Sequence, residues 1–269
     1  MRTDFETLKI EEPAPGVWLI TLNRPEVRNA LNTKMGLELR EIFVPLKFTP
    51  HLFKPGDLRS IVITGAGDKA FCAGGDLKER NGMTDETWRS QHAIFEEAYY
   101  AVMDCAVPVI AAINGAAYAG GCELALACDF IYAARGTRFA LTEVSIGIMP
   151  GGGGTQNLPR AVGERRAKEL ILSAEPWTAE QAYEWGMVNR LCEPATLMVD
   201  VLASAARIAA NAPISVRQAK KSIHNGMQVD LATGLNFEVQ AYDRMITTED
   251  RREGILAFNE KRKPNFKGR

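Results

Sequence analysis

The sequence predicts an α/β protein whose last third is helical. Through the first two thirds of the 269 residues, short apolar runs alternate with helical stretches, and this alternation is typical of repeated strand–turn–helix units. After about residue 154 the strand signals fade and amphipathic helical patterns replace them. A hydrophobic content of 46% is enough for a large core in one domain or two.

Four short apolar runs are predicted to be buried strands, because each is bounded by Gly, Pro or Asn. They are residues 16–25, 58–67, 107–116 and 129–134. Helical patterns lie between or beside them, at residues 32–45, 84–104 and 121–128. The segment 44–57 is interrupted by three prolines and is predicted to be an extended loop over the surface.

In the last third, the stretch WTAEQAYEWG is predicted to be a compact helix. Thr178 and Gln181 have the spacing of a capping box at its start, and Gly186 is a typical residue for its end. Residues 197–227 and 233–260 have the pattern of amphipathic helices, so we expect a helical layer in this part of the chain.

The composition argues against several classes of protein. A net charge of −1 is unlike that of nucleic-acid-binding modules, which are usually strongly basic. The five cysteines are scattered without CxxC pairs and the first residues are too acidic for a signal peptide, so we expect reduced thiols and a cytoplasmic location. No apolar run approaches the roughly 20 residues that span a bilayer, so no membrane contact is predicted. The three histidines are dispersed, and no metal site is predicted.

Two glycine pairs stand at turns where the close approach of another group is predicted. Gly74 and Gly75 end a strand in FCAGGDLKER, and Gly120 and Gly121 lie at the turn into a short helix in AAYAGGCELALACD. A helix N-terminus presents free backbone N–H groups, and a second free N–H from the first turn would complete an oxyanion hole. Close packing of a strand against a helix explains the same pattern, so the pattern alone leaves both interpretations open.

Two glutamates lie near these turns in the sequence. Glu123 belongs to the apolar helix GCELALAC, and Glu143 lies in RFALTEVSIGIMPGGGG without an obvious basic neighbour. If they face inward, burial raises their pKa and suits them to proton transfer near neutral pH. Alternatively, Glu123 is a helix N-terminal acid stabilised by the dipole, and Glu143 is a solvated loop acid. The segment PGGGGTQ lacks the GK[ST] ending of a P-loop, so no nucleotide site is predicted there.

Five ordered motifs extend over nearly the whole chain: LNRPEVRNAL, AFCAGGDLKE, AAINGAAYAGGCELALACD, LTEVSIGIMPGGGGTQNLPR and REGILAFNEKRKPNF. Together they resemble the crotonase superfamily, the enoyl-CoA hydratase/isomerase proteins. The resemblance implies a crotonase-like spiral of ββα units with the acyl-CoA site in residues 1–196. It implies a C-terminal helical region in residues 197–269, used for trimerisation and for closing the CoA pocket. The expected partners are an acyl-CoA thioester and further copies of the chain, as a homotrimer or a dimer of trimers, with no cofactor apart from the coenzyme A of the substrate.

By this resemblance the backbone N–H groups of Gly75 and Gly120 hold the thioester oxygen. Glu123 orients and deprotonates a water that attacks C3, and Glu143 supplies a proton to C2. Gly151 lines the pocket beside the acyl chain. The resemblance also implies contacts with coenzyme A from three of the motifs, through Val27, Arg28, Ala30, Ala73, Asp76, Leu77, Phe258 and Lys261.

Further stretches narrow the resemblance. Four stretches are similar to the methylglutaconyl-CoA hydratase branch, namely FCAGGDLKER, KELILSA, NGMQVDLATGL and GILAFNEKRKPNFKG. This similarity implies a short or branched 2-enoyl-CoA substrate from amino-acid catabolism. Some positions depart from the usual patterns: Gly75 replaces a common alanine, Ala119 replaces a glycine, and Asn157 stands where arginine is usual. None of these changes removes a backbone donor or an acid.

Three alternative functions remain open from the sequence. A double-bond isomerase needs chiefly one base, so the presence of two glutamates favours hydration. RNA binding is associated with the methylglutaconyl branch, but two glutamates in RNALNTKMGLELREIFVPLK weaken the electrostatic contribution that RNA binding requires. A non-catalytic scaffold is disfavoured because both acids are present.

Overall fold

Two β-sheets form the centre of the computed structural model, which describes residues 4–47 and 58–269. Within these residues the strands are Leu8–Ala14 (β1), Val17–Leu22 (β2), Ser60–Gly65 (β3), Ala70–Cys72 (β4), Val109–Ile113 (β5), Ala116–Tyr118 (β6), Phe130–Ala134 (β7), Arg138–Ala140 (β8), Trp177–Thr178 (β9) and Arg190–Cys192 (β10). The larger sheet has the order β1-β2-β3-β5-β7-β10, and the smaller sheet has the order β4-β6-β8-β9. β1 and β9 pair antiparallel to their neighbours, and the other adjacent strands are parallel.

Helices surround the sheets, and several begin at a side chain that accepts a hydrogen bond from the first turn. In the described residues they are Thr33–Phe43 (α1), Leu77–Arg80 (α2), Asp85–Met103 (α3), Gly120–Ala127 (α4), Gly154–Val162 (α5), Glu164–Ser173 (α6), Ala179–Glu184 (α7), Leu197–Ala209 (α8), Pro213–Gly226 (α9), Leu231–Ile246 (α10) and Glu249–Asn259 (α11). Asn32, Asp76 and Thr84 cap α1, α2 and α3 in this way. These caps set where the helices beside the cavity begin.

Three successive units repeat the same path through the two sheets. The pairs β3 and β4, β5 and β6, and β7 and β8 each place their first strand in the larger sheet and their second strand in the smaller one. Helices follow each pair, with α2 and α3 after β4, α4 after β6, and α5 after β8. The predicted spiral of ββα units is therefore confirmed.

Strands in the middle of the larger sheet are buried on both faces, so their side chains divide between two cores. In β3, Ile61 and Ile63 belong to the main core, whereas Val62 belongs to a second core on the opposite face. β5 alternates in the same way. α8 contributes Leu197 and Val201 to the second core. Burial on both faces explains why these strands are continuous apolar runs in the sequence.

The strands and helices predicted in the first two thirds of the chain are confirmed. The four predicted strands contain β2, β3, β5 and β7, and the three early helical patterns correspond to α1, α3 and α4. The capping box of Thr178 and Gln181 is present at the start of α7, and Gly186 follows the end of that helix with φ +85°. The prediction that strands end near residue 154 is wrong, because β9 and β10 lie later in the chain. Both are too short to show a recognisable period.

Each of the two long C-terminal helical patterns proves to be two helices. Residues 197–227 contain α8 and α9. α9 begins at Pro213, and Ala212 before it has the non-helical φ −58° and ψ 114° because proline disfavours a helical conformation there. Residues 233–260 contain most of α10 and all of α11, and Thr248 caps the start of α11. In the predicted loop 44–57, Val44–Leu46 forms a 3-10 turn, and residues 48–57 lie outside the described part of the chain.

The C-terminal helices differ in how they meet the rest of the molecule. α8 packs on the larger sheet, whereas none of the residues of α10 is buried. Among the described helices none is by itself long and apolar enough to cross a membrane, and α8 and α9 satisfy that criterion only together, as a pair bent by 106°. The division of the chain at residues 196 and 197 stays a prediction.

Candidate active site

A cavity of about 570 Å³ lies between α3, the start of α4 and residues 142–152. Seven of the thirteen residues predicted for the site line it, namely Ala73, Gly75, Leu77, Gly120, Glu123, Glu143 and Gly151. The structure thus brings both backbone donors and both glutamates to one cavity, although they come from separate motifs.

The Gly75 N–H is directed into the cavity by the pairing of its neighbours. Leu31 forms a parallel bridge with Gly75, in which the Leu31 N–H donates to Gly74 O at 2.8 Å and the Asp76 N–H donates to Leu31 O at 2.9 Å. Successive N–H groups of an extended segment point in opposite directions. The Gly75 N–H therefore faces away from Leu31, and it donates to no acceptor among the described residues.

The Gly120 N–H belongs to the open first turn of α4, whose N–H groups have no partner within the helix. Ala119 precedes it with φ 48° and ψ −125°, a conformation that residues with a side chain rarely adopt. The Ala119 N–H donates to Ala140 O at 2.8 Å, and the Tyr99 hydroxyl donates to Gly120 O at 2.9 Å. The start of α4 is therefore held from both sides.

The two glycine turns touch each other. A Cβ added to Gly74 would lie 2.7 Å from the Ala119 Cβ and 3.3 Å from the Gly120 nitrogen, and one added to Gly121 would lie 2.2 Å from Cys72 O. Both interpretations of the glycine pairs therefore apply, to different members of each pair. Gly74 and Gly121 allow close packing, whereas Gly75 and Gly120 present free N–H groups to the cavity.

Glu123 faces inward and is held by one of its two carboxyl oxygens. Its side chain is 4% exposed, and Oε1 accepts hydrogen bonds from the N–H groups of Gly152 at 2.7 Å and Gly154 at 2.9 Å. Burial raises the pKa of Glu123, and the two N–H donors oppose part of that rise. Since Oε2 accepts no hydrogen bond from the described residues, it remains available to a molecule in the cavity.

Glu143 is also buried, but neither of its carboxyl oxygens has a hydrogen-bond partner among the described residues. Burial raises the pKa of Glu143 to about 7, and repulsion from the Glu123 carboxylate acts in the same direction. The interpretation of Glu143 as a solvated loop acid is therefore wrong. A carboxyl group of this kind holds a proton near neutral pH much more readily than an ordinary glutamate does.

The two N-terminal stretches expected to contact coenzyme A lie side by side. The Ala73 N–H donates to Arg28 O at 3.0 Å, and Arg28 has the left-handed φ of 55°. Val27, Arg28 and Ala30 do not line the cavity itself. Asp76 caps α2 and accepts two hydrogen bonds from Arg24 at 3.0 Å, so its carboxylate is already engaged within the chain.

Phe258 and Lys261 lie apart from the cavity. Phe258 is on α11 with 83% of its surface exposed, and Lys261 follows that helix with φ 54°. Neither residue lines the cavity of the chain that carries it. Their contact with coenzyme A stays a prediction.

Four residues that contribute to the site were missed from the sequence. Gly152 and Gly154 hold Glu123, and the signal that could have identified them is the four-glycine run, in which only Gly151 was assigned a role. Tyr99 binds Gly120 O from α3, and Arg80 lines the cavity from the end of α2. Tyr99 belongs to an ordinary helical pattern, so nothing local distinguished it, whereas Arg80 ends the FCAGGDLKER motif, in which other residues were assigned roles but Arg80 was not.

By its path through two sheets, the chain has the fold of the crotonase superfamily. A family model described as enoyl-CoA hydratase/isomerase matches residues 12–269. The chain therefore belongs to the enoyl-CoA hydratase/isomerase family.

Individual relatives agree with this assignment. The chain is 38% identical over 248 residues to crotonyl-CoA hydratase of Syntrophomonas wolfei, which covers 92% of this chain and 93% of that protein. It is 38% identical over 263 residues to mitochondrial methylglutaconyl-CoA hydratase of Mus musculus, covering 96% and 82% of the two chains. The crystal structure of an enoyl-CoA hydratase from Bacillus anthracis matches with a TM-score of 0.93 and 44% identity, over 98% of this chain and 100% of that one.

Proposed function

We propose that this protein adds water across the 2,3 double bond of a short-chain or branched 2-enoyl-CoA thioester. The observation that carries the proposal is the pair of buried carboxyl groups with different surroundings, in the same cavity as two free backbone N–H groups. Relatives named as enoyl-CoA and crotonyl-CoA hydratases support the same reaction class.

The thioester carbonyl is activated by the Gly75 and Gly120 N–H groups. Attack of water at C3 of the enoyl group moves negative charge onto the carbonyl oxygen, and two N–H groups aimed at that oxygen stabilise the charge as it develops. Because the 2,3 double bond is conjugated with the thioester carbonyl, the thioester itself accepts the electron pair. The reaction as proposed therefore requires no cofactor.

The two glutamates take different roles because their surroundings differ. Glu123 has Oε1 fixed by the N–H groups of Gly152 and Gly154, so Oε2 is oriented to accept a proton from the water that attacks C3. Burial raises the pKa of Glu143 to about 7 against the opposing effect of its own backbone N–H, so its carboxyl group holds a proton more readily than that of an ordinary glutamate. Glu143 therefore supplies the proton that C2 receives.

A double-bond isomerase is the second candidate, since the family includes isomerases. Moving a double bond requires one base that takes a proton from one carbon and returns it to another. The retention of two buried carboxyl groups in one cavity favours hydration. RNA binding and a scaffold role are less favoured. We expect weak affinity for RNA, and submicromolar binding at physiological salt would contradict that expectation.

The test is the initial rate of hydration of crotonyl-CoA and 3-methylglutaconyl-CoA, followed by the loss of absorbance of the conjugated thioester. Turnover of either substrate supports the proposal, and a preference for the branched one would support the narrower assignment to methylglutaconyl-CoA. Absence of turnover with both, together with migration of the double bond in a 3-enoyl-CoA, would instead establish isomerisation.

A further inference from the structure

The cavity contains a guanidinium group to which the proposed hydration assigns no step, although its charge opposes part of the rise that burial causes in the pKa of Glu123. Arg80 ends α2 and lines the cavity beside Gly75, and its Cζ lies 3.3 Å from the position that a Cβ on Gly75 would occupy. The same Cζ lies 4.5 Å from the centre of the Trp88 ring and 5.6 Å from that of Phe95. The cation is thus next to the oxyanion donors, against an aromatic wall.

Arg80 has no carboxylate partner among the described residues. Its one side-chain hydrogen bond goes from Nε to Gln91 Oε1 at 2.8 Å, so the two terminal nitrogens donate to nothing in the described chain. Burial lowers the pKa of Arg80, and the carboxylates of Glu79 and Glu123 act on it only from a distance. A partly buried guanidinium without an anion is unfavourable, and an anionic ligand would remove that cost.

A buried network holds the guanidinium in this orientation. Gln91 is 3% exposed, and its Nε2 donates to Thr33 Oγ1 and to Glu79 Oε2, both at 2.8 Å. Glu79 Oε2 also accepts the Thr33 N–H at 2.9 Å. Because the amide nitrogen of Gln91 is occupied by these acceptors, its oxygen is the atom left for Arg80. The terminal nitrogens are therefore oriented before any ligand binds.

We propose that Arg80 selects 2-enoyl-CoA thioesters whose acyl chain carries a carboxylate a few carbon atoms beyond the thioester. The inference rests on the proposed function of this cavity and names its substrate class. Two terminal N–H groups of a fixed guanidinium match the two oxygens of a carboxylate. A carboxylate bound by Arg80 would lie in the same cavity as Gly75 and both glutamates, where the acyl chain is proposed to bind.

The test compares glutaconyl-CoA, which carries such a carboxylate, with crotonyl-CoA, which ends in a methyl group. In Arg80→Met we expect kcat/KM for glutaconyl-CoA to fall about 100-fold further than kcat/KM for crotonyl-CoA, whose own decrease measures the effect of the lost charge on the rest of the site. Arg80→Lys keeps the charge but loses the planar fork, so it should retain part of the preference. Arg89→Met is the matched control, since Arg89 is 78% exposed on α3 and lies outside the cavity.

Binding of unreactive analogues separates this inference from the proposed function. Wild type should bind glutaryl-CoA more tightly than butyryl-CoA, and Arg80→Met should remove the difference while leaving the affinity for free coenzyme A unchanged. An equal loss of affinity for glutaryl-CoA and butyryl-CoA would overturn the inference and assign Arg80 to positioning. Weaker binding of free coenzyme A would overturn it too and assign Arg80 to a CoA phosphate. If crotonyl-CoA is not hydrated but glutaryl-CoA binding still depends on Arg80, the proposed reaction fails and the carboxylate site stands.

Discussion

At the scale of single residues, two glutamates in one cavity acquire different properties from their surroundings. Glu123 is oriented by two backbone N–H groups, whereas Glu143 is buried without a partner in the described structure. The first arrangement stabilises and aims a carboxylate, and the second favours a protonated carboxyl group. Separate environments of this kind allow one site to supply both a base and an acid near neutral pH.

Replacement of either glutamate by glutamine should remove catalysis while preserving binding. Glu123→Gln and Glu143→Gln keep the size of the side chain but cannot exchange the proton, so we expect hydration of crotonyl-CoA to fall by about 100-fold or more. The measurement is kcat for each variant, with the affinity for butyryl-CoA as the control for an intact pocket. Near-normal turnover in either variant would contradict the role assigned to that residue.

The pH dependence of hydration should report the Glu143 carboxyl group. Because its pKa is about 7 and its protonated form is required, kcat/KM is expected to decrease as the pH rises through 7. In Glu143→Gln the residual rate should lose this decrease. If kcat/KM of the wild type stays constant from pH 6 to pH 8, on either side of that pKa, Glu143 does not act as the acid.

The same carboxyl group links stability to pH. Folding raises the pKa of Glu143 from its ordinary 4.5 to about 7, so the folded state holds the proton more strongly than the unfolded state. Stability from this group is present below pH 4.5 and is lost as the pH rises through 7. The difference obtained by subtracting the wild-type Tm from the Tm of Glu143→Gln should therefore increase from pH 5 to pH 8. A difference that stays constant over this range would argue against the raised pKa.

Tyr99 is expected to act by positioning the oxyanion donor. Its hydroxyl donates to Gly120 O at 2.9 Å. Its ring packs against Gly152, since a Cβ added to Gly152 would lie 2.2 Å from the ring carbons of Tyr99. Tyr99→Phe should reduce kcat by up to about 10-fold with little change in KM. It should also weaken the polarisation of a bound unsaturated acyl-CoA, seen as a smaller red shift of its absorbance. An unchanged red shift would assign Tyr99 a purely structural role.

At the scale of elements, the start of α4 combines a functional group with backbone strain. Ala119 adopts φ 48° and ψ −125° immediately before the Gly120 donor, in a region that favours glycine. The neighbouring loop packs closely against this residue, since a Cβ added to Gly74 would lie 2.7 Å from the Ala119 Cβ. The packing that positions the donor therefore maintains the strain.

Relief of this strain is measurable. Ala119→Gly should stabilise the folded protein by about 1 kcal/mol, because glycine adopts this conformation without a steric penalty. Thermal unfolding of the variant and wild type checks the expectation, and a lower Tm in the variant would contradict it. A suitable control is Ala174→Gly, where a residue with φ 57° follows α6 away from the cavity.

At the scale of the whole molecule, an apolar stripe lies on the surface of α10. The stripe consists of five residues at helical spacing, each between 48% and 78% exposed: Leu231, Leu235, Val239, Tyr242 and Ile246. Exposed apolar surface of this extent marks an interaction site in soluble proteins. Other copies of this chain are the expected occupant, as a homotrimer or a dimer of trimers.

Sedimentation equilibrium tests the expected assembly. We expect a mass of three or six chains of 29.6 kDa. Leu235→Glu should shift the distribution towards monomer, because burying a charge in an apolar interface is unfavourable. Lys78→Glu, an exposed change on α2, is the control for altered charge. A wild-type monomer at micromolar concentration would refute the predicted assembly.

Local patterns in the sequence were sufficient for the class of fold and for the main candidates of the site. Apolar runs predicted β2, β3, β5 and β7, because two-sided burial leaves a continuous signature in the chain. The glycine pairs and both glutamates were also recognisable, since each departs from what its local element needs. These features depend on neighbours in sequence or on ordered motifs, which the chain displays directly.

Only the tertiary structure decided how those candidates work together. It directed the Gly75 and Gly120 N–H groups into one cavity, gave Glu123 its donors from Gly152 and Gly154, and left Glu143 buried without a partner. It also placed Arg80 beside Gly75 in the same cavity. Burial, hydrogen-bond direction and pKa depend on groups brought together from distant segments, and no local period or motif encodes those contacts.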